Sequence, residues 1–376
     1  MDNSLNNLTN EELLTYYLSK KLNKKEIADL KKIISSDLDW TRVLGLLQMH
    51  RLMGCAWINL RNHVIGEGGS PSFNHFSPIL YLAYKAQKAQ SKEQFIYISK
   101  VTKLFEENQI EYILLKGISV AAEAYLDLGL RVSNDTDILV HHKDVDKAKR
   151  LLCDMGYVQG EYNVCTKELE LANRKEIITA PMVSHEIYPL TIKTEDTSII
   201  EWHKIDLHFS VDLMTSNRTD NIVEDFLARR RKIKIESIEV YTSDVMDTLM
   251  FLCIHLYKEA INISEVRGYK DLLMFKFGDI YNLINVIDGN QDEKLDWESF
   301  IYRVKNYQLE KGIFYSLWSV NTVFGNVVPQ HVLDSLQPDN LSYLNEVYDN
   351  GEVVIKWKQP LLERIFNTNR LSESVK

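Results

Sequence analysis

The amino-acid sequence predicts an α+β protein in which a mixed-sheet core is flanked by N-terminal and C-terminal helical domains. Glycine and proline are scarce, with 15 and 7 among 376 residues, below the roughly 7% and 5% of average proteins. Apolar residues recur at helical spacing towards both ends of the chain, and short apolar runs of strand length occur between them. We therefore place an N-terminal helical domain at residues 1–100, the core at 101–240 and a C-terminal helical domain at 241–376.

Successive helix signals follow one another in the first hundred residues. Thr9 precedes Glu11 and Glu12 in a near-capping arrangement, and apolar residues at helical spacing follow. The segments KKEIADLKKIIS and DWTRVLGLLQMHRLMGCAWINLRNH carry further helical patterns. Residues 66–78 are dense in Gly, Ser, Asn and Pro, which predicts a loop, and a long helix is predicted over 79–108.

The periodicity changes in the central region. YILLKG is a short apolar strand that ends in a glycine, SVAAEAYLDL is helical, and TDILVHH is a second strand. DVDKAKRLLCDMGY returns to a helix, with Asp144 suited to its N-cap and Gly156 to its C-terminal end. SHEIYPLTI and WHKIDLHFSVDL alternate as strands do. From Ser243 onward the pattern is helical again.

Charge and cysteine content restrict the classes of function. The chain has 53 acidic and 44 basic residues and a net charge of −9, which disfavours an extended nucleic-acid-coating surface because such binding neutralises phosphates with Lys and Arg. The four cysteines form no CxxC pair and are interpreted as reduced thiols. The polar N-terminus and the lack of a long apolar span predict a cytoplasmic protein with no membrane partner.

Two aspartates suggest a metal site at the start of the second core strand. Asp135 and Asp137 are two residues apart, so in a strand both carboxylates point to the same face. Two such close charges repel each other unless a cation lies between them. Mg²⁺ prefers oxygen ligands, and the pair is therefore predicted to bind it.

A glycine turn precedes this pair. Lys116, Gly117 and Ser119 lie where a strand passes into a helix, and backbone N–H groups at a helix start suit a phosphate group. Lys116 and Arg131 could add charged contacts to a triphosphate. The alternative interpretation is that Lys116 has no phosphate role and only ends a strand, and that Arg131 pairs with Asp127 or Glu123.

A third carboxylate is expected on a neighbouring strand. Asp206 in IDLHFSV fits, because Asp206 and His208 share one face of that strand; Asp212 and Glu201 remain alternatives. Three carboxylates could hold two metals about 3.5–4 Å apart, which would clamp the attacking and leaving oxygens of a phosphoryl displacement. His208 could line the same site, but we interpret it as a hydrogen-bonded structural histidine.

These motifs together resemble a known superfamily. The glycine turn, the helix, the Asp-x-Asp strand and the later strand carboxylate resemble the nucleotidyltransferases that include DNA polymerase beta and the kanamycin nucleotidyltransferases. More narrowly, LLKG, LGLRVSNDTDILV, the helix ending in MGY, and IDLH resemble the bacterial "uncharacterised nucleotidyltransferase" family, most strongly over residues 110–215.

The resemblance implies a set of roles. Asp135, Asp137 and Asp206 would be the catalytic acids and would bind two Mg²⁺ ions, or Mn²⁺, while Gly117 and Ser119 would lie at the triphosphate. Lys258 and Lys270, in the C-terminal helical region, could also contact the nucleotide, as helical lids do in related enzymes; the alternative is that either lysine lies on a solvated face. The predicted nucleotide-binding residues are therefore Lys116, Gly117, Ser119, Arg131, Lys258 and Lys270.

The implied activity is transfer of a nucleoside monophosphate from a nucleoside triphosphate to an acceptor, with release of pyrophosphate. Because the chain is acidic, a small-molecule acceptor such as an aminoglycoside or another natural product is the first expectation. Transfer to tRNA or to a protein, as in toxin-like members, is the alternative, and a non-catalytic nucleotide-binding or partner-binding module is another. The basic run 229–232 could contact RNA, but we interpret it as a charged connection between a helix and a strand.

Overall fold

The computed structural model describes residues 3–65, 71–211, 220–289 and 295–371. Its α-helices are α1 (Asn10–Leu18), α2 (Lys24–Ile34), α3 (Trp40–Met49), α4 (Met53–His63), α5 (Pro71–Glu107), α6 (Ile118–Ala124), α7 (Val145–Asp154), α8 (Arg174–Val183), α9 (Asp220–Ala228), α10 (Val245–Ala260), α11 (Ile263–Arg267), α12 (Met274–Gly289), α13 (Trp297–Asn306), α14 (Glu310–Phe324), α15 (Gln330–Leu336) and α16 (Leu361–Phe366). Its strands are β1 (Tyr112–Leu114), β2 (Thr136–Val140), β3 (Val158–Asn163), β4 (Glu168–Leu171), β5 (Leu190–Lys193), β6 (Trp202–His208), β7 (Arg231–Ile235), β8 (Ile238–Thr242), β9 (Glu346–Asp349) and β10 (Glu352–Lys356).

Strands β1 to β8 form one mixed sheet in the order β4-β3-β5-β6-β2-β1-β8-β7. The β2–β6 and β1–β8 pairs are parallel, and the other pairs are antiparallel. Strands β9 and β10 form a separate two-stranded ribbon. The predicted α+β fold with a mixed sheet and many helices is confirmed.

The chain divides into two compact units. One consists of Met1–Lys85 together with Leu252–Lys376 and is built from helices and the β9–β10 ribbon, and the other is Ala86–Phe251 and contains the large sheet. The three-part division at residues 100 and 240 stays a prediction about domains.

One face of the large sheet is apolar and supplies the core of its unit. Helices α5 and α7 contribute buried residues that cluster with the strands, among them Phe105 and Leu152. The strand residues in this cluster include Ile138 on β2 and Ile205 and Leu207 on β6. Because side chains alternate along a strand, the neighbours of these residues in the chain, Asp137 and Asp206, point to the other face.

The helix predictions differ from the structure at the start of α5. Residues 71–78 are helical, so the loop predicted over 66–78 is wrong for that part, and residues 66–70 lie outside the described residues. Proline is compatible with the first turn of a helix because its missing N–H would have no helical partner there. At α1 the capping arrangement is confirmed, since Thr9 and Glu12 form a reciprocal capping box.

None of the helices in the described ranges combines the length and apolar character that crossing a membrane requires.

Candidate active site

The sheet register brings the predicted acids together. Strands β2 and β6 run parallel with Asp137 directly opposite Asp206, and neighbouring strands lie about 4.8 Å apart. Asp135 immediately precedes β2 and is two residues from Asp137, on the same face. Asp137 is 4% exposed and Asp206 6% exposed, so these carboxylates form a largely buried acidic group at the start of β2.

Basic side chains lie against this acidic group. Lys116 Nζ is 3.3 Å from Asp137 Oδ2, and Lys204 Nζ is 3.3 Å from Asp206 Oδ1. His208 Nε2 lies 3.1 Å from Asp137 Oδ1 and 3.2 Å from Glu186 Oε2. These contacts balance part of the negative charge, although Asp206 Oδ1 makes no directed hydrogen bond to any residue within the described ranges.

The electrostatics of the group show a carboxylate that is costly to ionise. Burial and the neighbouring Asp137 raise the pKa of Asp206 from 3.8 to about 7, although Lys204 acts in the opposite direction. Burial acts to lower the pKa of Lys116, but Asp137 and Asp135 outweigh it and raise that pKa above its usual value. Burial and the neighbouring Asp137 therefore make the charged form of Asp206 unfavourable, and a further cation beside it would stabilise that form.

A buried histidine holds β2 and β6 together on the opposite face of the sheet. The His203 ring lies 3.0 Å from Thr136 Oγ1 through Nε2 and 2.7 Å from the Tyr157 hydroxyl through Nδ1. Burial lowers the pKa of His203 to about 3, so the ring is neutral and has one donor and one acceptor nitrogen. This network connects Thr136, between the two aspartates, to β6 and supports the register that places Asp137 beside Asp206.

The glycine turn lies beside the acids, and its contact with a triphosphate stays a prediction. Gly117 has φ +74° and ψ −116° and precedes α6. The Ser133 hydroxyl, which donates to the backbone oxygen of Asp135 at 2.9 Å and lies 3.0 Å from its Oδ1, packs against this glycine. A left-handed backbone with little space above it requires glycine here.

Replacing Gly117 by Ala is expected to lower stability by about 1–3 kcal/mol, because the new Cβ would meet Ser133 Oγ at 3.2 Å in a strained backbone conformation. We also expect weaker nucleotide binding, since the displaced Ser133 would release Asp135. Chemical denaturation measures the first effect and calorimetric titration with nucleotide the second. Gly45→Ala is the matched control, because nothing lies within 4 Å of its added Cβ; equal effects of the two substitutions would contradict this account.

The other residues predicted around the triphosphate occupy different environments. Ser119 is 1% exposed and its hydroxyl donates to the backbone oxygen of Lys116 at 3.3 Å, so its side chain is used within the turn. Arg131 is 7% exposed and close enough to Lys116 for its charge to oppose the rise in that lysine's pKa. Of the partners considered for Arg131, Asp127 contacts Lys88 and Glu123 contacts Arg231. The nucleotide contacts of Ser119 and Arg131 stay predictions.

The alternatives for the third acid occupy different positions from Asp206. Glu201 precedes β6 on the surface, where it accepts from the Tyr162 hydroxyl at 2.7 Å and pairs with Lys167 at 3.1 Å. Asp212 lies outside the described residues. Of the two acids that the structure describes, Asp206 and not Glu201 lies opposite Asp137.

Lys258 and Lys270 belong to the other compact unit. Lys258 is in the last turn of α10 and partly buried, and Lys270 is exposed after α11. Their contact with a nucleotide stays a prediction.

The basic run 229–232, which follows α9 and extends into β7, is paired with carboxylates. Its ion pairs are Arg229–Asp247 (2.8 Å), Arg230–Glu111 (2.8 Å), Arg231–Glu123 and Lys232–Glu239 (3.4 Å). The run therefore connects a helix to a strand with its charges largely balanced, which does not favour it as a nucleic-acid surface.

Sequence reasoning missed three participants in the site. Lys204 shares a face with Asp206 and His208, and the alternation in WHKIDLH could have shown this. Ser133 and Glu186 gave no such signal, because each reaches the site from a loop. His208 is hydrogen-bonded, as interpreted, but its partner is Asp137 itself.

The donor set suits a hard cation, although its side chains are turned towards lysine and histidine. Carboxylate oxygens are the ligands that Mg²⁺ prefers. One of them, Asp206 Oδ1, is buried and makes no directed hydrogen bond within the described residues. Within residues 3–65, 71–211, 220–289 and 295–371, no group of three or more His, Cys, Asp or Glu side chains is already arranged to hold a metal ion. Binding would therefore require the carboxylates to exchange Lys116, Lys204 and His208 for the ion.

Comparison with known proteins places the chain in a family. It is similar to an antigenic nucleotidyltransferase-like protein from Paracoccidioides brasiliensis, with 13% identity and a TM-score of 0.34 over 60% of this chain and 93% of that one. No curated protein matches the chain. The profile of the family described as "Uncharacterised nucleotidyltransferase" matches residues 36–325. The chain therefore belongs to this nucleotidyltransferase family.

Proposed function

We propose that the protein is a metal-dependent nucleotidyltransferase that moves a nucleoside monophosphate from a nucleoside triphosphate to a small-molecule acceptor. The observation that supports this best is the pairing of Asp137 with Asp206 across β2 and β6, with Asp135 on the same face and the Gly117 turn alongside. Membership of the nucleotidyltransferase family supports the same reaction class.

In the proposed reaction, an acceptor oxygen or nitrogen forms a bond to the α-phosphorus of the triphosphate. The bond from that phosphorus to the oxygen that bridges to the β-phosphorus breaks, and pyrophosphate leaves with the electron pair. The acceptor's proton passes to Asp206. Bound Mg²⁺ would neutralise charge on the phosphates and the leaving group, and Asp135, Asp137 and Asp206 would be its protein ligands.

The chain's own residues would position the substrate. Lys116 already contacts Asp137, and Arg131 lies close to Lys116. Both side chains would therefore contact phosphate oxygens once the carboxylates bind the ion. The Gly117 turn would let the phosphates approach the backbone closely. Holding the reactants in line in this way supplies much of the catalysis of such transfers.

A small acceptor is preferred to tRNA for a specific reason. The marked basic run of the chain, 229–232, is paired with carboxylates, and the net charge is −9. A tRNA acceptor would require a basic surface that neutralises several phosphates.

The proposal is tested with the full-length protein, Mg²⁺ and each nucleoside triphosphate labelled at the α-phosphate, offered a pool of cellular small molecules or tRNA. We expect Mg²⁺-dependent pyrophosphate release and label on a small molecule, both lost with EDTA. Absence of transfer to every acceptor pool, with Asp135→Asn indistinguishable from the wild type, would rule out an enzyme and leave a nucleotide-binding module. Label on tRNA alone would reject the small-molecule acceptor.

A further inference from the structure

A pocket of about 400 Å³ lies at the amino-terminal ends of β2 and β6, within the unit that contains the sheet. Its volume is in the range of small-ligand sites, roughly 300–1,000 Å³. Asn134, which immediately precedes Asp135, lines it, and so does Trp202, the first residue of β6. The pocket therefore begins next to the acidic group.

One wall of the pocket is aromatic. The rings of Tyr162 and Trp202 are stacked, with centroids 6.1 Å apart and planes inclined by 29°. The Tyr162 hydroxyl donates to Glu201 Oε2 at 2.7 Å, which holds its ring in place. Ile199 and Ile200 add apolar surface. Such a wall favours a flat ring that can pack against aromatic faces.

Carboxamides provide the polar part of the lining. The side-chain nitrogens of Gln90 and Gln94 donate to the backbone oxygen of Ser133 at 3.2 and 2.8 Å. An amide oxygen accepts hydrogen bonds, and Gln90, which is less buried than Gln94, can offer its oxygen to a ligand. A ligand with hydroxyl or amine donors on its ring matches this arrangement.

The charges of the lining cancel. Lys167 and Glu201 are its cation and anion, and they pair with each other at 3.1 Å. A polycation such as an aminoglycoside needs several carboxylates, and a phosphorylated ligand needs unpaired cations. The pocket therefore suits an uncharged ligand better than either.

The strand order places the pocket on the side from which an acceptor would attack. The Gly117 turn follows β1 on one side of β2, and β6 lies on the other side. Attacking and leaving oxygens are roughly in line in phosphoryl transfer, so a triphosphate whose pyrophosphate lies at the Gly117 turn is attacked from the β6 side. Trp202 is four residues before Asp206, about 13 Å along the strand, a distance that a ring compound with a substituent can span.

We infer that this pocket binds the acceptor, and that the acceptor is an uncharged planar ring compound carrying the nucleophilic hydroxyl or amine group. The identification as the acceptor site rests on the proposed function. The chemistry of the ring site is argued from the pocket itself and can be tested by binding alone.

The test measures binding of 7-hydroxycoumarin, kept uncharged at pH 6.5, to the full-length protein by ligand-observed NMR, with kanamycin as the polycationic comparison. We expect the coumarin to bind at least tenfold more tightly than kanamycin. Tyr162→Leu should weaken its binding about tenfold, and Val164→Asp, at the exposed rim of the pocket, should weaken it without touching the core. Tyr302→Leu, at a tyrosine that is 73% exposed in the other unit, is the matched control and should bind as the wild type does.

Three results would overturn the inference. These are unchanged binding in both Tyr162→Leu and Val164→Asp, tighter binding of kanamycin than of the coumarin, and displacement of the coumarin by ATP with Mg²⁺, which would put the ring in the nucleotide site. Tyr162-dependent coumarin binding in a protein that releases no pyrophosphate would reject the proposed function and leave the ring site standing. Pyrophosphate release with an acceptor whose KM is unchanged by Tyr162→Leu would reject the pocket as the acceptor site and leave the function standing.

Discussion

Replacing Asp137 by Asn is expected to lower the rate of pyrophosphate release by roughly 10³-fold or more. Asp137 lies opposite Asp206 in the sheet register and is 4% exposed, so its carboxylate is the central negative charge of the proposed metal site. The amide of Asn has nearly the same shape but no charge, and it would bind a divalent ion poorly. The measurement is the initial rate of pyrophosphate release at saturating nucleotide, with Mg²⁺ present.

Controls separate loss of chemistry from loss of fold. Asp137 also balances Lys116, so a circular dichroism spectrum and a thermal melt accompany the assay. Asp135→Asn is a second variant at a more exposed position of the same group, and we expect a comparable loss of activity. Asp154→Asn, at the exposed end of α7, is the matched control and should retain wild-type activity. Folded Asp135→Asn and Asp137→Asn proteins with wild-type rates would contradict the proposed site.

Replacing Asp206 by Asn is expected to raise the melting temperature of the metal-free protein at pH 8 and to change it little at pH 4. Burial and Asp137 raise the pKa of Asp206 from 3.8 to about 7. Between about pH 4 and pH 7 the folded protein keeps a proton that the unfolded chain has lost. The stability of the wild type therefore falls as the pH rises through this range, by at most about 4 kcal/mol.

The Asn side chain removes this ionisation, so the gain should appear only above about pH 4 and be complete above about pH 7. A gain of 1 kcal/mol in unfolding free energy raises the melting temperature by roughly 2–4 °C in a chain of 150–250 residues, and by somewhat less in this longer chain. Loss of the Lys204 contact reduces the gain only slightly, because that lysine is partly exposed to water. Differential scanning calorimetry in EDTA at both pH values measures the effect, and an equal shift at pH 4 and pH 8 would show that ionisation of Asp206 is not its cause.

The parts of the fold that the sequence predicted are those with strong local patterns. The apolar core of TDILV and the alternation of IDLH correctly located β2 and β6, and these two strands carry the acids. Strands β3 and β4 and helix α8 were not predicted. The residues of β4 and α8 are mostly exposed and those of β3 mostly half-buried, so these segments give little hydrophobic periodicity. The β9–β10 ribbon was missed for the same reason, since most of β10 is exposed.

Contacts between distant segments limited what could be predicted about the site. That Asp135, Asp137 and Asp206 share a site followed from their spacing and from the family resemblance. That Lys116, Lys204 and His208 lie against those same carboxylates depends on the β1–β2–β6 register, which a single sequence does not specify. The buried Thr136–His203–Tyr157 network depends on it equally.

In the proposed reaction, the metal ions compete with basic side chains for the same carboxylates. The carboxylates are paired with lysine and histidine, and burial together with the neighbouring Asp137 raises the pKa of Asp206. Nucleotide bound together with Mg²⁺ would add positive charge beside the carboxylates and release Lys116 towards the phosphates. The same acids that reduce stability without metal would then serve binding and catalysis.

The most direct measurement is anomalous diffraction from crystals of the protein grown with Mn²⁺ and a non-hydrolysable nucleoside triphosphate. The account predicts an anomalous peak between Asp137 and Asp206, at roughly the 2.1 Å that hard divalent ions keep from carboxylate oxygens, with Asp135 as a further ligand and the phosphates beside the Gly117 turn. A nucleotide bound without such a peak, or a peak held by other residues while Asp137 remains paired with Lys116 and His208, would contradict it.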